Sequence, residues 1–79
     1  MPSSVEWNPP IGEVPPNWIE LNAVVNGWFV KVWLSPFGTY EAAIINLGTY
    51  ERRRLDVGDV TDIELACANA VELVMAKIN

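Results

Sequence analysis

Two apolar runs that meet at Asn26-Gly27 constrain this chain more than any other feature of its sequence. A two-residue type I′ hairpin turn needs positive φ at both central positions, and Asn-Gly meets that need at the lowest steric cost. A loop of this length sets the register of the flanking runs between Trp18 and Leu34. Val25 then faces Trp28, Ala23 faces Val30, Leu21 faces Val32 and Ile19 faces Leu34, so one face of the hairpin is wholly apolar. The other face pairs Val24 with Phe29, Asn22 with Lys31 and Glu20 with Trp33. A slip of one residue would mix the two sets, so the register is well specified.

Ser35-Pro36-Phe37-Gly38 follows as a turn, with proline where its fixed φ fits and glycine to close it. The run from Tyr40 to Leu47 should return antiparallel. Pairing Leu34 with Tyr40 sets Val30 beside Ile44 on the apolar face. On the opposite face it sets Trp33 beside Glu41, Lys31 beside Ala43 and Phe29 beside Ile45. Gly48 marks another turn, and Thr49 to Leu55 (TYERRRL) reads as a fourth strand of ambiguous register. Arginines there would guard an edge against strand-to-strand aggregation.

Asp56 to Gly58 breaks the pattern. Thr61-Asp62-Ile63-Glu64 then has the spacing of a capping box, with Thr61 as the cap. Ile63, Ala66, Cys67, Ala70, Val71, Val74 and Ile78 recur at helical spacing and form one apolar stripe. Ala66, Ala68 and Ala70 permit close approach to a flat surface. The face of Leu21, Val30, Val32 and Ile44 offers such a surface. The fold class expected is therefore α+β: a three- to four-stranded antiparallel meander with one C-terminal helix packed on one face.

Residues 1–17 hold five of the six prolines and read as an extended Pro-rich arm, with residues 18–79 a single α+β domain. Trp7 in the arm suggests that it lies across the body and buries that ring. A domain of 79 residues buries roughly 60% of its unfolded surface and is marginally stable. Ten acidic residues against five basic ones give a net charge of −5, which opposes direct nucleic-acid binding and anionic membranes. The start MPSSVEWNPP has neither a basic opening nor an apolar run, so no signal peptide or membrane anchor is expected, and the location expected is cytoplasmic.

The sequence carries no catalytic constellation. With no histidine and one cysteine, the usual zinc sets are missing, and no metal or cofactor is expected. Asp56, Asp59, Asp62 and Glu64 lack EF-hand spacing and fit a helix lead-in better. Cys67 lies in the apolar stripe without a histidine base, which fits a buried inert thiol. Arg52-Arg53-Arg54 cannot all line one groove, because adjacent strand residues point to opposite faces.

One feature does not fit a simple monomer. The second sheet face carries Trp18, Val24, Phe29, Trp33 and Ile45, wetted only by Glu20, Asn22, Lys31 and Glu41. A sheet with one helix should present a mostly polar outer face. Either the arm folds over it or it is an interface, with Trp33 and Phe29 as anchors and Glu20 and Glu41 beside them. Asp56, Asp59 and Asp62 form the second acidic group, ahead of the helix.

Short, acidic, without histidine or catalytic set, and ordered as sheet then capped helix, the chain resembles the small phage-encoded anti-CRISPR inhibitors. That resemblance implies a non-enzymatic inhibitor whose partner is a DNA-binding type I CRISPR–Cas effector complex. It also implies contact through Trp33, Phe29, Glu20, Glu41, Asp56, Asp59 and Asp62, in a monomer or homodimer. From Trp28 to Ile78 the chain also resembles the double-stranded-RNA-binding-like domain of HicB-type antitoxins. There Ser35-Pro36-Phe37-Gly38 and Glu64-Leu65-Ala66 approximate that family's turn and helix start. The alternatives are thus an antitoxin domain or a homo-oligomeric phage or bacterial structural module.

Overall fold

Asn26 and Gly27 both take positive φ, 50° and 81°, and the hairpin closes as a two-residue turn. It joins β1 (Glu20–Val25) to β2 (Trp28–Leu34) in the expected register, with Ala23 opposite Val30 and Glu20 opposite Trp33. The computed structural model describes residues 5–78, the side chains of Lys77 and Ile78 excepted. The first four residues of the arm and Asn79 lie outside the described residues, as does the side chain of Ile78 expected in the helix stripe.

The Ser35–Gly38 turn returns the chain as β3 (Tyr40–Asn46), with Leu34 opposite Tyr40 and Val30 opposite Ile44. Ser35 is buried there, its Oγ accepting from the Phe37 N–H at 3.2 Å. A fourth strand is present, β4 (Arg52–Leu55), and the sheet runs β1-β2-β3-β4 with every neighbour antiparallel. β4 is shorter than the run expected to begin at Thr49. The side chain of Asn46 accepts from the N–H groups of Gly48 and Thr49 at 2.8 and 3.0 Å, and Tyr50 sits at a φ of 61°. The loop therefore consumes three residues that would otherwise extend the strand.

Helix α1 (Ile63–Ile78) packs over β2, with β3 and β1 to either side. Its cap is Asp62 rather than Thr61, one residue later than the capping-box spacing predicts. The Asp62 carboxylate accepts from the Glu64 N–H at 3.3 Å, and its carbonyl accepts the first helical bond, from Ala66, at 3.0 Å. The expected stripe faces the sheet: Ala66, Cys67, Ala70 and Val74 are buried against Ala23, Val30, Val32, Ala42 and Ile44. Ile63, Val71 and Leu21 close the margins, partly buried. Two alanines and one cysteine under the helix let its backbone lie close to the sheet, and this suits the small Ala23 and Ala42 opposite. Ala68, expected with them, is exposed, because it falls on the helix side away from the sheet.

Candidate functional site

The residues placed by sequence reasoning around Trp33 do share one face, because period-2 alternation carries Glu20, Trp33 and Glu41 across three strands in register. Phe29, Trp33, Ala43 and Ile45 form a half-buried apolar floor on the side away from the helix. Register with β3 adds what the sequence left ambiguous. Arg54 lies opposite Ala43 and Arg52 opposite Ile45, so both stand on this outer face, while Arg53 falls on the other.

Two cations therefore lie near the Trp33 ring. The Lys31 ammonium lies 5.8 Å from its ring centroid and the Arg54 guanidinium 5.9 Å, both within cation–π range. The two carboxylates beside it are engaged within the chain. Glu20 accepts from the Trp18 indole N–H at 2.7 Å and lies 3.9 Å from Lys31, its side chain only 8% exposed. Glu41 forms an ion pair with Arg54 across the β3–β4 ladder. Arg53 is likewise paired, with Glu51. Arg52 has no ion-pair partner among the described residues.

The arm treats the two faces differently. Asn8 and Asn22 form an antiparallel bridge, which docks the arm along the free edge of β1. Before that bridge, Val5 and Trp7 pack on the helix side against the core. After it, Val14 and Pro15 lie beside Trp18, Glu20 and Phe29 on the outer face. The arm thus covers the β1 margin of that face and leaves the Trp33, Ala43 and Ile45 region uncovered.

The second acidic group is divided. Asp56 and Asp59 line a shallow hollow with Glu41 and Arg54 at the end of the sheet, and Asp56 holds the Gly58 N–H at 3.0 Å. Asp62 is spent on the helix cap. No group of three or more Cys, Asp or Glu side chains among the described residues is arranged to hold a metal ion. Comparison with protein-family models, with curated proteins and with solved structures finds no match to this chain.

Two features escaped sequence reasoning. Arg52 and Arg54 join Lys31 beside the aromatic floor, a placement readable only once the β3–β4 register is known. Helix α1 also exposes Leu65, Leu73 and Met75, each by more than a third. Beside it Val5, Trp7, Leu21, Cys67, Val71 and Met75 line an apolar groove between arm and helix. Burial pushes the Cys67 thiol up to about 11, with the Glu64 carboxylate adding to the shift, so the thiol is held protonated. No helix among the described residues is long and apolar enough to cross a membrane.

Proposed function

We propose that this chain is a non-enzymatic binding module that meets a protein partner with the outer face of its sheet. The observation that carries this reading is the floor of Trp33, Ala43 and Ile45, which the described part of the arm leaves uncovered, reaching only as far as Phe29. A half-buried tryptophan with two cations in cation–π range is partly ordered in advance, so less side-chain entropy is lost when a partner covers it. Resemblance to the anti-CRISPR inhibitors supplies the partner class, a type I CRISPR–Cas effector complex. On this reading the carboxylates free to steer encounter are Asp56 and Asp59, since Glu20 and Glu41 have partners within the chain.

Plasmid interference in bacteria carrying type I CRISPR systems tests this directly. Interference should fall when the protein is expressed and return with Trp33→Ala, provided that variant keeps its circular dichroism spectrum. Undiminished interference across the subtypes would remove the effector as partner.

Exposure of Leu65, Leu73 and Met75 on one helix favours a second reading, a homo-oligomer assembled through α1. Sedimentation velocity distinguishes the two. A dimer that Leu65→Lys dissociates, while Trp33→Ala leaves it intact, would move this reading ahead.

A further inference from the structure

Among the described residues β4 is the last strand of the sheet, and none of them pairs with its far edge. In an antiparallel ladder, directly opposed residues alternate between pairs that exchange backbone hydrogen bonds and pairs that do not. The Asn46 N–H donates to the Glu51 carbonyl at 2.8 Å, which makes that pair a bonded one. Stepping along the register, Ile44 with Arg53 and Ala42 with Leu55 are the next bonded pairs. The backbone N–H and C=O groups of Arg52 and Arg54 therefore point away from β3, toward solvent. The side chains of these same two residues stand on the outer face.

Each of these arginines thus offers a main-chain donor, a main-chain acceptor and a guanidinium at one place. We propose that the free edge of β4 takes an extended acidic segment of a partner protein as a fifth strand. Carboxylates two residues apart on that segment would lie across from Arg52 and Arg54. Charge selects this occupant. Arg52, Arg53 and Arg54 are all exposed, and Arg52 has no ion-pair partner among the described residues. The Glu41 carboxylate already on Arg54 shows the group that this site accepts. A second copy of β4 is disfavoured, because antiparallel self-pairing would set arginine against arginine. Single-stranded nucleic acid is disfavoured as well. Of the two rings on this face, Phe29 and Trp33, the larger already has a cation from each of two strands near it, and the chain's net charge is −5. Main-chain bonds would supply affinity and the alternating carboxylates specificity.

Fluorescence anisotropy with a dye-labelled peptide of alternating Glu and Val tests the proposal on the intact chain. Three other probes are run beside it: the same peptide N-methylated along one edge, polyglutamate, and an oligothymidylate. The alternating peptide should bind saturably, weaken as salt rises, and slow amide exchange at Arg52 and Arg54. Arg52→Glu should cut its affinity roughly tenfold or more, while Arg52→Lys should keep most of it. The N-methylated peptide should lose binding, because it keeps the charges but cannot pair as a strand. Equal binding by the N-methylated peptide or by polyglutamate would overturn the proposal, as would tighter binding of oligothymidylate. So would the absence of saturable binding, or affinity unmoved by Arg52→Glu in a chain of native circular dichroism. These readouts need no effector complex, so their failure is separable from a negative interference assay.

Discussion

Asn22 donates its side-chain Nδ2 to the carbonyl of Pro9 at 3.0 Å, and its backbone exchanges two further bonds with Asn8 at 2.8 and 3.0 Å. By alternation Asn22 sits on the outer face, yet it is only 4% exposed, because the arm crosses over it. An unpaired edge is thereby closed at β1, while the opposite edge at β4 stays open.

Asn22→Ala should loosen the arm without melting the sheet. The lost side-chain bond leaves the Pro9 carbonyl without its partner, which costs about 1–2 kcal/mol. Urea unfolding should report that loss, and limited proteolysis should cleave residues 9–17 faster. Unchanged cleavage would mean that the arm is held by Val5 and Trp7 alone.

Cap position is tested by a pair of substitutions. Asp62→Ala should cost about 1 kcal/mol, because the Glu64 N–H loses its acceptor. Thr61→Ala should cost a few tenths at most, within the usual range for a surface change. The reverse order in thermal melts would restore Thr61 as the cap.

Most of the sheet was legible because three strands obey one rule at once. Between Leu21 and Ile44 every second strand residue, odd-numbered in β1 and even-numbered in β2 and β3, is apolar or small, and two turns with demanding φ values lock the register. The helix face was legible for the same reason, at a different period. What the sequence hid was decided by single side chains. Asn46 diverts two backbone donors and shortens β4, and Asp62 takes the Glu64 N–H before Thr61 can. Around Trp33 the aromatic floor was readable, but its charge was not. Only the β3–β4 register shows that Arg54 joins Lys31 near the ring and that Glu41 is paired.

Core substitutions should separate the two faces of the sheet. Ile44 is 1% exposed, so Ile44→Ala should cost about 3 kcal/mol, much of a total near 5 kcal/mol for so small a domain. Val30→Asp places an unpartnered charge under α1 and should leave the chain unfolded. Trp33→Ala, on the other face, should retain native circular dichroism. Loss of folding by Trp33→Ala alone would make that ring structural.

Alkaline titration isolates Cys67. Its thiol is raised from an ordinary value of 9.0 to about 11 in the folded chain, first by burial and then by the Glu64 carboxylate. Below pH 9 the thiol is protonated in both states, and its contribution to stability is fully present. Between pH 9 and 11 the unfolded chain releases this proton while the folded chain keeps it. The unfolded state therefore binds fewer protons, and stability falls as pH rises. The diagnostic quantity is the difference between the native chain and Cys67→Ala. The native chain should lose stability faster than the variant above pH 9, with the two curves parallel below it. In the same folded chain the thiol should react with a disulfide reagent at pH 8 far more slowly than it does in urea. Parallel stability curves through pH 11, or equally fast labelling with and without urea, would show that Cys67 is open to solvent.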